Sequence, residues 1–239
     1  MIDEFLLTGG RSAVEVVRIG ETIHRSIGSN PEFSHKLLAL LEQKNFKGAP
    51  KYIGLDDKGR EILTYIDGVV PKGEHKWTME QMIKVVKMMR EFHDASAGNE
   101  LSGNSEVVCH NDLAPWNVVL KNDSPVALID FDEVSPGNRV DDLAYFLWTF
   151  LDLGNDTPVD TQIGRIKILC DQYGYSDGSK LVEAILDQQN RILEKRKLLA
   201  KESHSKEDRE FSVEAIPRIQ QEIKWTENNG DLIIKALNE

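Results

Sequence analysis

A chain of 239 residues, 40% hydrophobic and 29% charged, is long enough to bury a sizeable core in one large domain or two lobes. Its formal charge of −11 argues against a nucleic-acid backbone or an anionic membrane as partner; no apolar run approaches membrane-spanning length. Two cysteines, Cys109 and Cys170, are too few for a disulfide scaffold and lack metal-site spacing, and the acidic start Met1-Ile2-Asp3-Glu4 does not look like a secretory signal, so cytoplasm is the expected compartment.

In chain order, residues 5–27 read as three short strands. Leu6-Leu7-Thr8 leads into Gly9-Gly10-Arg11-Ser12; Val14 through Ile19 follows; and after a turn at Gly20-Glu21 the third strand spans Thr22 to Ile27. The loop at Gly9, Gly10 and Ser12 can lay backbone N–H groups over phosphates without side-chain obstruction. A plain hairpin turn explains it as well. The helix predicted from about Pro31 to Lys44 buries Phe33, Leu37, Leu40 and Leu41 at helical spacing. Pro50–Leu55 and Glu61–Ile66 are two further strands joined through Asp56-Asp57-Lys58-Gly59, with Asp67-Gly68 beyond them. Thr78 followed by Gln81 forms a capping-box pattern, opening a long helix striped by Met79, Met82, Ile83, Val86, Met89 and Phe92. His93 closes that stripe as a core histidine. After Asp142 the chain reads as all-helical, over about 141–153, 159–174, 179–202, 206–227 and 231–238, with Pro217 expected to kink or interrupt the fourth of these helices.

The most informative stretch is Val108-Cys109-His110-Asn111-Asp112-Leu113-Ala114-Pro115-Trp116-Asn117-Val118-Val119-Leu120, followed by Val126-Ala127-Leu128-Ile129-Asp130-Phe131-Asp132. It sets His, Asp and Asn as H-x-D-x-x-x-x-N between two β-prone segments, with a further acid at the end of the next one. Kinase-type phosphotransferases use this arrangement to hold a nucleoside triphosphate, its magnesium ions and an acceptor hydroxyl. Asp112 is the group for the acceptor: its carboxylate can orient an O–H and take the proton. Asn117 and Asp130 offer the oxygen ligands that Mg2+ prefers. A hairpin from Asn117 to Asp130, turning at Lys121-Asn122-Asp123-Ser124-Pro125, would bring both to one end of a ladder. His110 supports the loop structurally.

His110-Asn111-Asp112 through Asn117, then Leu128-Ile129-Asp130-Phe131-Asp132, resemble the aminoglycoside phosphotransferase and choline kinase family, which usually shows His-Gly-Asp where this chain has His-Asn-Asp. Asp141-Asp142-Leu143-Ala144-Tyr145 is similar to that family's Asp-Leu-Ala helix start, so the resemblance implies a structural role for Asp142. It also places the Gly9-Gly10-x-Ser12 loop where the family covers phosphates. The third strand should then supply the cation that grips the non-transferred phosphates. Kinases normally use lysine there; here Arg25 is the only suitable fixed cation, and its fork can bind two phosphate oxygens. The following helix lacks a clear glutamate to pair with it, Glu32 being the only candidate. The nucleotide base would bond backbone groups around Thr64, Tyr65 and Ile66. The late helices would wall the acceptor pocket, with Tyr145, Trp148, Glu222 and Trp225 as candidates, although Tyr145 and Trp148 read rather as core aromatics.

The expectation is an α+β, two-lobed kinase-like enzyme. Residues 1–67 form a small nucleotide-binding lobe and 68–239 a larger helical lobe. With Mg2+ it would move the terminal phosphoryl group of ATP or GTP to a hydroxyl on a small molecule such as an amino sugar, macrolide or amino alcohol. Neither nucleic acid nor membrane is an expected partner, and the oligomeric state is left open. A catalytically inactive nucleotide-binding module is the leading alternative, and a hydrolase with water as acceptor a third.

Overall fold

Short apolar runs punctuated by glycine and acidic turns build the first part of the molecule into an antiparallel sheet. The computed structural model describes residues 4–7, 16–73 and 75–239. The five strands of this sheet are β1 (Glu4–Leu7), β2 (Val16–Ile19), β3 (Thr22–Arg25), β4 (Tyr52–Leu55) and β5 (Glu61–Thr64), in the order β1-β2-β3-β5-β4. β2 and β3 close through Gly20-Glu21, with Gly20 at φ 60, a conformation that glycine adopts without Cβ strain. The pairing of β3 with β5 sets Arg25 directly opposite Glu61.

Helix α1 (Pro31–Gln43) buries Leu37, Leu38, Leu40 and Leu41. Leu37, Leu40 and Leu41 are buried as expected, but Ser34 takes the inward place expected for Phe33, which is half-exposed. The cause is polar: the Ser34 hydroxyl donates to the Phe131 carbonyl at 2.8 Å and so must face inward. Helix α2 (Met79–Ser96) has the expected capping box in both directions, Gln81 N–H to Thr78 Oγ1 at 3.2 Å and Thr78 N–H to Gln81 Oε1 at 2.9 Å. Gln81 then uses its amide N–H to reach the Asp123 carbonyl at 2.9 Å.

Strand β6 (Val107–Cys109) pairs with β9 (Ser135–Gly137), and β7 (Val118–Lys121) with β8 (Ser124–Leu128). The β7–β8 turn is tighter than the five residues expected. Asn122 and Asp123 take φ 49 and 63, the positive values of a two-residue hairpin turn, and Asn and Asp tolerate them best after glycine. Lys121 and Ser124 therefore pair, and Pro125 sits in the strand next to a register shift. These elements form one compact unit, Met1–Arg139; Phe92 lies at its centre against Phe46, His110 and Phe131.

The second unit, Val140–Glu239, is helical. It comprises most of α3 (Arg139–Leu151), then α4 (Val159–Tyr173), α5 (Gly178–Glu202) and α6 (Lys206–Asn238). The two helices expected over 206–227 and 231–238 are one: α6 runs through Pro217 and Gly230. Gly230 serves packing, not termination, since a Cβ there would lie 3.0 Å from Val182 of α5. Gly178 likewise lets α5 approach α6, where a Cβ would meet the Ile234 backbone at 2.7 Å.

Among the aromatic and acidic candidates for an acceptor wall, Tyr145, Trp148 and Glu222 are buried, with Trp148 Nε1–H donating to Glu222 Oε2 at 2.9 Å. Burial pushes the Glu222 carboxyl above its ordinary range, Arg218 and the Trp148 N–H oppose that shift, and Asp152 adds to it. A folded-state pKa above the unfolded value means that ionisation of Glu222 disfavours folding above about pH 4.3, whereas well below that pH both states are protonated and nothing is lost. Glu222→Gln keeps an acceptor for Trp148 and removes the charge. Urea midpoints should show it more stable than the parent at about pH 7, with the difference vanishing by about pH 3.

Candidate functional site

The hairpin converts sequence distance into proximity. Val118 stands opposite Leu128, and the Ile129 N–H donates to the Asn117 carbonyl at 2.9 Å, so Asn117 and Asp130 lie at the same end of the ladder. Asn117, buried at the close of the Pro115–Asn117 turn, gives its amide Nδ2 to the Asp112 carbonyl at 2.8 Å and to Asp112 Oδ2 at 2.9 Å. The amide nitrogen is thus committed to Asp112, and the oxygen Oδ1 is the atom left for another ligand. Asp130 is 45% exposed at its side chain, so its carboxylate remains accessible. Amide and carboxylate oxygens together suit a hard cation such as Mg2+.

His110 is fully buried, its Nε2 lying 3.1 Å from the Ile129 carbonyl and its ring 4.9 Å from that of Phe131. It therefore braces the backbone immediately before Asp130. Asn111 and Asp130 both take left-handed backbone conformations, φ 63 and 67. The Asn111 amide donates to the Glu133 carbonyl at 2.8 Å and to Ser135 Oγ at 2.9 Å, tying the loop to the segment beyond Asp132. Asp142, fully buried, lies in the first turn of α3, where the helix dipole favours a carboxylate.

Arg25 is held by three carboxylates. Its Nε donates to Glu61 Oε1 at 2.5 Å, its Nη1 to Asp130 Oδ1 at 3.1 Å and its Nη2 to Asp132 Oδ1. Burial works against the guanidinium charge, but Asp132, Glu61 and Asp130 together outweigh it and hold the pKa above the ordinary arginine value. The Asp132 carboxyl is pushed up by burial, against the opposing pull of Arg25 and with a further rise from Asp130. The chain crowds this spot closely: a Cβ on Gly28 would come within 2.7 Å of the Asp132 carboxylate.

Glu32, the only helix-borne candidate to pair with Arg25, does not do so. It is exposed and accepts from Lys36 one turn along α1, at 2.7 Å. Glu61 and Asp132 take the places that sequence reading left empty. The signal for Glu61 was an acid opening an otherwise apolar strand, but its partner depends on β3–β5 register. Asp132 stood in the motif without an assigned role.

Gly9, Gly10 and Ser12 lie outside the described residues. Thr64, Tyr65 and Ile66 are placed at the end of β5, where the Thr64 and Tyr65 N–H groups already donate to the Lys51 and Glu21 carbonyls, at 3.0 and 2.8 Å. They line a cavity of about 470 Å³ with Lys47, Lys51 and Lys121. Among the described residues its lining does not include Arg25, Asp112, Asn117 or Asp130, so this segment and the acidic cluster do not share that cavity.

A model of the phosphotransferase enzyme family matches residues 87–174, a span containing Asp112, Asn117, Asp130 and Asp142. The trifolitoxin immunity protein of Rhizobium leguminosarum bv. trifolii is 31% identical over 201 residues, 74% of this chain and 76% of that one. The chain belongs to the phosphotransferase enzyme family. An ethanolamine kinase of Plasmodium vivax shares its fold with a TM-score of 0.67 at 14% identity, over 94% of this chain and 81% of the other. A streptomycin–ATP–APH(2″)-IIa ternary complex does so with a TM-score of 0.59 at 12% identity, over 92% and 93%. The fold is thus the two-lobed kinase-like α+β fold, with a β-rich N-terminal lobe and a larger helical C-terminal lobe.

The departure from His-Gly-Asp has a backbone explanation. The position requires φ 63, natural for glycine, and asparagine is the side-chain-bearing residue that tolerates it best while adding the two hydrogen bonds above. Asn111→Ala should lower stability by about 1–2 kcal/mol in chemical denaturation, from left-handed strain alone. Asn111→Gly should lose less, because only the hydrogen bonds are removed.

Proposed function

We propose that this protein transfers the terminal phosphoryl group of ATP or GTP to a hydroxyl of a small acceptor. The observation that carries the reading is the Asp112–Asn117 pair, locked at the hairpin end beside Asp130 and its guanidinium partner Arg25. Asp112 would orient the acceptor O–H and receive its proton as the new P–O bond forms and the bond to the nucleoside diphosphate breaks. Asn117 and Asp130 would hold Mg2+, which neutralises phosphate charge when bound. Arg25 would grip the non-transferred phosphates; Gly9, Gly10 and Ser12 would cover them; and the backbone of Thr64–Ile66 would receive the base. His110 and Asp142 would support the site. The lobes would meet near residues 67 and 68.

The acceptor we favour is a hydroxyl-bearing antibiotic, toxin or amino alcohol. Three features support this: the acidic chain, compatible with a cationic acceptor; the family; and the immunity role named for the Rhizobium relative. Inactivating such a compound by phosphorylation in the cytoplasm would amount to antibiotic resistance. Arginine in place of the usual lysine favours a second reading, a nucleotide-binding module with weak or no turnover. A nucleotide-consumption screen with ATP and GTP against aminoglycosides, macrolides, amino alcohols and trifolitoxin separates the two: acceptor-dependent consumption supports transfer, and nucleotide binding without consumption supports the module.

Asp112→Asn keeps the shape and removes the charge. In steady-state kinetics it should lower turnover by roughly 10²- to 10⁴-fold while nucleotide binding persists; undiminished turnover would exclude Asp112 as the base. Asp130→Ala should abolish the Mg2+ dependence of nucleotide affinity in calorimetry, and Asn117→Ala should weaken it.

A further inference from the structure

We propose that Glu61, on strand β5, is the residue that positions Arg25 for phosphate, and that His35 links helix α1 to it. The inference rests on the phosphotransferase reading above and goes beyond it. In protein kinases the strand cation is paired by a glutamate from the following helix. Here the two glutamates of that helix are both spent on lysines at the surface, Glu32 on Lys36 and Glu42 on Lys51. The carboxylate arrives instead from the neighbouring strand.

Glu61 is held at both oxygens. Oε1 accepts from Arg25 Nε at 2.5 Å, and Oε2 lies 2.9 Å from His35 Nε2. The His35 ring is itself stacked on Tyr52, with centroids 3.6 Å apart and planes 13° from parallel. At 3% exposure, with both oxygens bonded, the Glu61 carboxylate has little freedom to turn away. It takes the one guanidinium nitrogen that is not terminal. The two terminal nitrogens are thereby aimed at Asp130 and Asp132, the side on which a triphosphate would lie.

This arrangement supplies a reason for arginine in β3. A glutamate directly across the ladder meets the lateral N–H of Nε, and the fork remains available for a second partner. Lysine has one nitrogen, which would have to serve both. When phosphate oxygens replace carboxylates at the terminal nitrogens, Nε keeps its bond to Glu61 and acts as the pivot. Helix α1, which elsewhere would provide the acid, senses the pair through the His35 imidazole.

The test is calorimetry with Mg-ATP and Mg-GTP, against adenosine and guanosine, on the wild type, Glu61→Gln, Arg25→Ala and the double variant. Glu61→Gln should weaken triphosphate binding roughly 10- to 100-fold and leave nucleoside binding unchanged. In the Arg25→Ala background it should add no further loss, because a residue acting through Arg25 has nothing left to position. Unchanged triphosphate affinity in Glu61→Gln, or an equal loss in both backgrounds, would overturn the proposal. If Glu61→Gln does not fold, His35→Phe carries the test, since it keeps the ring on Tyr52 and removes the hydrogen bond. A several-fold triphosphate loss that disappears in the Arg25→Ala background is then expected, and no loss overturns it. A wild type that binds no triphosphate removes the phosphotransferase reading together with this inference. Normal wild-type binding with an unaffected Glu61→Gln chain removes this inference alone.

Discussion

One partly buried guanidinium organises the candidate site. Arg25 meets Glu61, Asp130 and Asp132, which come from two places far apart in sequence, and the buried Glu61 carboxylate would be costly to hold there without it. The cluster ties β3 and β5, already paired through their backbones, to the segment after β8 through charge. Nearby contacts follow from the same demand for close approach: glycine at 28, where a side chain would strike Asp132, and the Ser34 hydroxyl on the Phe131 carbonyl. With three acids on one cation, the cluster carries surplus negative charge and accessible oxygen, the electrostatic setting in which a divalent cation binds.

A second constraint is backbone strain kept at the place where chemistry is proposed. Asn111 and Asp130, neither of them glycine, both sit in the left-handed region. Such conformations persist only where surrounding contacts over-determine them. Here those contacts are the Asn111 amide on Glu133 and Ser135, the His110 imidazole on Ile129, and the Asn117 carbonyl on the Ile129 N–H. The hairpin itself is closed by two residues at positive φ, so its register, and with it the pairing of Asn117 with the segment before Asp130, is set by turn chemistry. No helix among the described residues is long and apolar enough to cross a membrane.

Much of this was legible in the chain. The H-x-D-x-x-x-x-N spacing, the two flanking apolar strands and the Ile-Asp-Phe-Asp ending define a hairpin because alternation and turn residues act over a few positions. The Thr78–Gln81 box and the methionine stripe placed α2 for the same reason. Helices in the second unit were found from their period, yet the break expected near residue 228 is absent, because Gly230 answers a neighbour's Val182 side chain and not a need to stop. Local sequence does not distinguish a glycine that ends a helix from one that lets another helix come close.

Residue types and short-range spacing by themselves determined the chemistry on offer at Asp112, Asn117 and Asp130, carboxylate and amide oxygens; Arg25 as the cation was what the family resemblance implied. Tertiary structure alone decided which of them meet. Glu61 is 36 residues from Arg25 and its role follows from strand register, which no local pattern encodes. Asp132 stands two positions from Asp130, beyond its left-handed backbone, and reaches the same guanidinium. His35 meets Glu61 from the helix turn whose Ser34 bonds the Phe131 carbonyl. Each of these depends on the relative placement of distant segments, and that placement is set by long-range packing and pairing whose energies a reading of neighbours along the chain does not contain.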